Sequence, residues 1–262
     1  MKLNIVPAKQ GLVWVKLGIK TFWRQPLAFT GLFFLFMAWV SLLSMVPVLG
    51  AVLALLILPA ATLGLMVATE QASGGKFPMP TVLMVAFRAG QQRLKAMLIL
   101  GVLYAISFLG VMALTTLVDG GSFAKVYLAN APITPEVIEA GEFQMAVWLS
   151  TFLYIPMSMM FWHAPALVHW YGIPPVKSMF FSAVACWRNL GAFAVYLLAW
   201  AGVFVMCAAI ILTISTALGG SELSAAVLMP GALLMSAMFF TSVYFSVKDC
   251  FELPLPGNEN QA

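Results

Sequence analysis

Long apolar runs dominate the chain, and the first of them sets the pattern. It extends from Gln25 to Thr69 without a single Asp, Glu, Lys or Arg. A helix needs ~20 apolar residues to cross a bilayer, so this run is too long for one span and long enough for two. Turn-forming residues interrupt it at Pro47 and Gly50. The pattern predicts a helical hairpin with spans over residues 27–46 and 49–69.

Four more stretches without a charged side chain follow, separated by polar or turn-rich segments. They predict spans over residues 96–118, 144–163, 191–213 and 226–247. Between the third and fourth spans lies an acidic outer loop, residues 119–143, in which TPEVIEAGE predicts a short helix with Thr134 as its N-cap. The polar tail covers residues 248–262. We expect an all-α polytopic membrane bundle, with six transmembrane helices arranged as three hairpins in a single domain.

A basic amphipathic segment precedes each hairpin. The predicted apolar faces are Leu12, Val15, Ile19 and Phe22 in residues 11–24, Leu83, Phe87 and Leu94 in residues 80–95, and Val176, Phe180, Val184 and Trp187, opposite Ser178 and Ser182, in residues 175–188. A helix with cations on one face and apolar side chains on the other lies in the membrane interface. We expect eight cations to anchor these segments to anionic lipids at the cytoplasmic face: Lys16, Lys20, Arg24, Arg88, Arg93, Lys95, Lys177 and Arg188. A dedicated lipid-recognition or partner-binding site is the alternative.

The three amphipathic segments align with one another. Arg24, Arg93 and Arg188 fall in one register, in which Gly11, Pro80 and Pro175 open the segments. The sequence therefore predicts that one unit, a surface helix followed by a hairpin, occurs three times in the same orientation, as parallel repeats.

Small residues and prolines mark positions inside the spans. Small side chains spaced four apart allow a second helix to approach closely, and they occur as Ala60, Gly64 and Ala68 and again as Gly101 and Ala105. Pro59, Pro156 and Pro230 lie inside the even-numbered spans, where a proline releases a backbone carbonyl and kinks the helix. We expect these residues to serve packing and helix geometry, with a ligand-coordinating break at the prolines as the alternative.

Composition and charge agree with a membrane protein. The chain of 262 residues is 63% hydrophobic and 8% charged, against roughly 25% charged residues in soluble domains. Of its thirteen Lys and Arg residues, all but Lys125 fall on one side of the predicted spans. The positive-inside rule then places both termini in the cytoplasm of a multi-pass protein of the bacterial inner membrane.

Residues with reactive side chains form no recognisable site. Cys186, Cys207 and Cys250 are widely spaced and show no metal-binding motif. His163 and His169 are six residues apart and are expected to lie at the interface beside Trp170 and Tyr171. Phosphate-binding, serine-hydrolase and zinc-protease motifs are missing from the sequence. We therefore predict no catalytic residue, no cofactor, no metal and no nucleic-acid partner.

Several short motifs resemble a known family. They are FWRQP ahead of the first span, Pro47 to Gly50 between the first two spans, Pro59 with Gly64, and SVKDCF at residues 246–251. In these the chain resembles an uncharacterised family of six-span inner-membrane proteins of proteobacteria. The stretch APALV to NLGAF is also similar to the membrane domain attached to some glycerophosphodiester phosphodiesterases. The resemblance implies the six-span fold, and it implies no activity, because the family has none established and the phosphodiesterase barrel has no counterpart here.

Two functional hypotheses from different classes follow. The first is a non-enzymatic membrane protein that binds or scaffolds a lipid or another membrane protein, or a second copy of itself. It is favoured by the basic segments and by spans whose cores hold no ionisable residue, which transporters usually contain. The second is a transporter or channel for a neutral or amphipathic solute, suggested by the three prolines.

Overall fold

The computed structural model describes residues 2–46, 49–129, 131–217 and 221–252. These residues are almost wholly helical, and six helices are long and apolar enough to cross a membrane. The all-α polytopic fold predicted from the sequence is thereby confirmed. The helices, in chain order, are α1 Gln10–Arg24, α2 Pro26–Ser44, α3 Gly50–Ser73, a 3₁₀ helix Pro80–Met84, α4 Val85–Arg88, α5 Gln91–Asp119, α6 Ser122–Ala129, α7 Pro135–Glu139, α8 Gly141–Phe161, α9 Ala164–Tyr171, α10 Pro175–Arg188, α11 Leu190–Ala217 and α12 Ser221–Cys250.

The predicted span boundaries differ from the observed ones mainly at the polar ends. Helix α5 begins five residues before the predicted third span, so it includes Arg93 and Lys95. Helix α12 continues to Cys250, so the start of the predicted polar tail, residues 248–250, is helical. The predicted turn at Pro47 and Val48 and the tail beyond Glu252 lie outside the described residues.

The chain forms two compact units, each assembled from separate stretches of sequence. Unit 1 comprises the described parts of residues 1–38, 61–88 and 184–262, and unit 2 comprises the described parts of residues 39–60 and 89–183.

In unit 1, helix α1 packs against α11 and α12 through its glycines. A Cβ atom on Gly11 would overlap the carbonyl oxygen of Ala192, and one on Gly18 would overlap Ser242. Between these glycines, Trp14 is fully buried, with its ring centroid 5.3 Å from that of Phe193. Such close approach requires residues without a side chain, as in other helix pairs of membrane proteins.

Aromatic rings and a few hydroxyls fill the interior of unit 1. The Tyr196 hydroxyl and Ser242 Oγ are 2.7 Å apart, and Trp200 Nε1 donates to the same Ser242 oxygen at 3.1 Å. Phe33 of α2 contacts Phe240 of α12, with ring centroids 5.7 Å apart. The polar atoms of these buried side chains are therefore paired, as burial requires.

An N-terminal strap, defined as residues 3–6, lies against the end of α12. Leu3 bridges Phe251 in antiparallel fashion, and the Asn4 backbone N–H donates to the Cys250 carbonyl at 2.9 Å. On its other side, Asn189 binds the strap like a neighbouring strand, since its Oδ1 accepts from the Val6 N–H at 2.8 Å and its Nδ2 donates to the Asn4 carbonyl at 3.1 Å.

Unit 2 centres on helix α5, which packs against α6, α8 and α9. A Cβ atom on Gly101 would overlap the Leu56 carbonyl oxygen, and Tyr104 meets Phe161 edge to face at 5.0 Å. At the end of α5, the buried Asp119 carboxylate accepts from the backbone N–H groups of Gly121 at 2.9 Å and of Phe123 at 2.6 Å. This acidic residue of the predicted loop thus fixes the start of α6, a helix that the sequence analysis did not predict.

Candidate functional site

The first predicted surface segment corresponds to helix α1. Lys16, Lys20 and Arg24 are all exposed. Of the predicted apolar face, Val15 and Phe22 are buried and Leu12 is exposed. The whole buried face is formed by Gly11, Trp14, Val15, Gly18, Thr21 and Phe22. Glycine carries no hydrophobic signal, yet it lets α1 approach α11 and α12 closely, and this contact determines which face is buried.

The second predicted segment, residues 80–95, is not one amphipathic helix. A 3₁₀ helix and α4 are followed by a break at Gly90, whose φ of +90° is a conformation that favours glycine. The exposed Arg88 therefore closes α4, whereas Arg93 and Lys95 are exposed in the first turns of α5. The threefold repeat departs from its predicted form here, since the first and third segments are continuous helices of 15 and 14 residues.

The third segment is helix α10, and its serine face rather than its apolar face packs against the protein. Ser178 and Ser182 are fully buried, whereas Val176, Phe180 and Trp187 are each more than 60% exposed. The serines tolerate burial because their hydroxyls bind backbone carbonyls, those of Pro175 and Met159, both at 2.7 Å. The helix thus presents aromatic and aliphatic side chains outward, together with the exposed Lys177 and Arg188.

All eight predicted anchoring cations are exposed, and none of them forms an ion pair within the described part of the chain. The ion pair found there joins Lys2 and Glu252, 3.7 Å apart at the surface. Apolar side chains accompany the cations, since Trp23, Phe77, Phe87 and Trp187 are exposed as well. These exposed lysine and arginine side chains are therefore available to bind anions.

The predicted packing residues lie in or against helix contacts. Ala60, Ala68 and Ala105 are buried, and a Cβ atom on Gly64 would lie 2.7 Å from the Leu83 Cα. Gly101 lies against Leu56, as described above. The three prolines, Pro59, Pro156 and Pro230, are each inside a continuous helix.

Two groups outside the membrane-spanning segments have shifted pKa values. Burial raises the pKa of the Cys186 thiol on α10, because a thiolate would lose its hydration there. A hydrogen bond from Thr134 lowers the pKa of the exposed Glu136 carboxyl. Thr134 is indeed the N-cap of α7, but its side chain makes no capping bond to the helix backbone. Neither group marks a reactive centre.

The sequence analysis missed the polar residues that form hydrogen bonds at the helix ends, the half-buried Asp249 and Gln25 and the buried Asn189. Asp249 accepts from Gln10 Nε2 at 2.5 Å and from Trp14 Nε1 at 2.7 Å. Asn189 holds the N-terminal strap, and Gln25 Nε2 donates to the Lys76 carbonyl at 3.3 Å. His163, predicted at the membrane interface, is fully buried within the protein. Two of these residues share a sequence feature: each is a polar amide directly after an arginine of the predicted repeat. Gln25 follows Arg24, and Asn189 follows Arg188.

Comparison with known proteins identifies one curated relative. The chain is 40% identical over 260 residues to a probable inner membrane protein of Burkholderia thailandensis, covering 98% of this chain and 96% of the relative. No family model matches the chain, and no solved structure matches it. The similarity to phosphodiesterase membrane domains stays a prediction. Identity at this level over nearly the full length of both proteins shows that the chain belongs to the family of this probable inner membrane protein.

Proposed function

We propose that this protein is a non-enzymatic component of the bacterial inner membrane that binds anionic phospholipids of the cytoplasmic leaflet, with both termini in the cytoplasm. The observation that carries the proposal is the set of eight exposed cations that form no ion pair with the described residues, next to exposed aromatic side chains. Cations near an anionic leaflet contribute ~1 kcal/mol each, and aromatic side chains favour the headgroup level.

The start of helix α5 supports this proposal. Its first turn contains no acidic residue, and Arg93 and Lys95 lie near the N-terminus instead. Because the helix dipole is positive at that end, each cation is disfavoured by ~0.3–1 kcal/mol. Anionic headgroups around the helix end would offset this cost.

The exposed surface of α11 also favours a lipid partner. On the side away from α1 and α12, large apolar side chains such as Leu198, Val205 and Met206 are exposed and free to contact acyl chains or another membrane protein. A membrane-protein partner or a second copy of the chain is thus compatible with the same scaffold.

The transport alternative has less support. Side chains of α1, α2, α11 and α12 fill the interior of unit 1, among them Trp14, Phe33, Tyr196, Trp200 and Phe240. Close packing of this kind favours a structural or binding role for unit 1 over a solute path.

Lipid enrichment tests the proposal. The full chain is purified from bilayers that mix zwitterionic and anionic phospholipids, and the retained lipids are quantified by mass spectrometry. We expect anionic lipid to be enriched, and we expect the triple variant K16Q/K20Q/R24Q to lose enrichment, roughly fivefold for each cation removed.

The matched control is Lys125→Gln, which removes an exposed cation of α6 in the predicted outer loop. It should retain the lipid enrichment of the wild type. Purification of the wild-type protein without any enriched anionic lipid would overturn the proposed function.

A further inference from the structure

Two buried polar atoms without a hydrogen-bond partner in the described chain lie at one junction of unit 1. They are Gln25 Oε1, at the elbow between α1 and α2, and Ser73 Oγ, at the last residue of α3. Gln25 Nε2 donates to the Lys76 carbonyl at 3.3 Å, which joins the elbow to the turn after α3. That turn is tight, since the Lys76 N–H donates to the Gln71 carbonyl at 2.9 Å, so Ser73 lies within it.

The orientation of the Gln25 amide is determined by this contact. Exchanging its nitrogen and oxygen would place Oε1 against the Lys76 carbonyl, and two acceptors cannot bind each other. Gln25 Oε1 is therefore an acceptor without a donor, and Ser73 Oγ is a hydroxyl without a partner. Buried polar groups are normally paired, so each of these two atoms calls for a partner that the described chain does not supply.

Cations and aromatic side chains surround the junction. Arg24 precedes Gln25, Lys76 supplies the carbonyl that binds it, and both side chains are exposed. Trp23 and Phe77, their sequence neighbours, are 64% and 59% exposed. The junction thus combines two positive charges, an acceptor, a hydroxyl and an apolar rim.

We infer that this junction, formed by Arg24, Gln25, Ser73 and Lys76, binds the headgroup of an anionic phospholipid that carries a hydroxyl, as phosphatidylglycerol does. The phosphodiester pairs with the two cations. Gln25 Oε1 and Ser73 Oγ are both covered by the protein, so binding includes a local shift of the side chains over them. The headgroup hydroxyl then donates to Gln25 Oε1, and a second headgroup oxygen pairs with the Ser73 hydroxyl. The inference rests on the proposed lipid-binding function and assigns one specific site to it.

The test compares Ser73→Ala with wild type in full-length protein purified from bilayers containing phosphatidylglycerol. Because the Ser73 hydroxyl has no partner in the protein, the variant should fold normally, which its thermal unfolding verifies. We expect the Ser73→Ala variant to retain phosphatidylglycerol ~3- to 10-fold less strongly, because one hydrogen bond to the headgroup is lost. Gln25→Leu, a second variant, should reduce retention at least as much. The control is Ser44→Ala, since the Ser44 hydroxyl is bonded to its own helix at the Val40 carbonyl.

Each outcome separates the two proposals. If wild type enriches anionic lipid but Ser73→Ala and Gln25→Leu retain phosphatidylglycerol normally, the site assignment is wrong and the proposed function stands. If phosphatidylethanolamine is retained equally well and depends equally on Ser73, the choice of an anionic headgroup is wrong. If free glycerol phosphate displaces the lipid at equal concentration, the site binds soluble phosphate esters and the lipid assignment is overturned.

Discussion

At the scale of single residues, the glycines of α1 matter most, because their missing side chains allow the helix to pack. Gly18 lies so close to Ser242 that any Cβ atom must displace α1 from α12. Ser242 also accepts from Trp200 and pairs with Tyr196, so a displacement there disturbs a buried hydrogen-bond network. One methyl group at this position therefore affects the contacts of α12 with both α1 and α11, and the hydrogen bonds among Tyr196, Trp200 and Ser242.

We predict that Gly18→Ala lowers the free energy of unfolding by about 1–3 kcal/mol, the usual cost of overpacking a close contact. The matched control is Gly31→Ala in α2, where a Cβ atom meets nothing within 4 Å. The Gly31→Ala substitution should leave the free energy of unfolding unchanged or raise it by about 0.5–1 kcal/mol, because alanine favours the helical conformation more than glycine does. Unfolding titrations in detergent micelles measure both values, and equal stability of the two variants would refute the packing argument.

At the scale of elements, the N-terminal strap depends on a residue far away in sequence. Asn189, between α10 and α11, supplies two hydrogen bonds to the strap, and its Nδ2 also lies 3.0 Å from the Ala185 carbonyl. Replacing Asn189 by alanine leaves the Val6 N–H without its partner. We expect the free energy for local opening of the strap to fall by about 1–3 kcal/mol, because a polar group is left unpaired.

Hydrogen exchange of the full-length protein measures this effect, since the amides of Asn4 and Val6 should exchange faster in Asn189→Ala. The control is Gln144→Ala, which removes an exposed amide that bonds to the Ile138 carbonyl at 3.2 Å. Unchanged protection at Val6 in Asn189→Ala would show that the pairing of the strap with the end of α12 is sufficient to hold it.

The sequence predicted the membrane-spanning helices, but not which face of a helix packs against the protein. Six spans follow from apolar length, because hydrocarbon thickness sets the length of a helix that crosses it. The buried faces of α1 and α10 do not follow from hydrophobicity, since membrane helices bury small residues such as Gly18 and Ser182 and expose large apolar ones to lipid. The break at Gly90 depends on one positive φ angle, which a glycine permits but does not require. The junction of Gln25 with Lys76 is a long-range contact that no local pattern encodes.

At the scale of the whole molecule, the charge distribution predicts orientation. If all six membrane-capable helices cross the bilayer, both ends of the chain lie on the same side of it. Eleven of the thirteen Lys and Arg residues lie before the first span, in the stretches 70–95 and 164–190, and one more follows the last span. The remaining cation, Lys125, lies in α6 among the acidic residues of the predicted outer loop. Short loops rich in Lys and Arg stay in the cytoplasm, so the proposed orientation follows from this bias.

Reporter enzymes fused after Leu94, after Glu136 and after the final residue test that orientation. We expect the first and third fusions to report a cytoplasmic position and the second a periplasmic one. Leu94 lies in the first turn of α5 between Arg93 and Lys95, so its fusion also reports whether these cations are on the side where anionic lipid is proposed to bind. A periplasmic signal after Leu94 would place them in the opposite leaflet. The lipid proposal would then fail together with the orientation, because both depend on the same cations facing the cytoplasm.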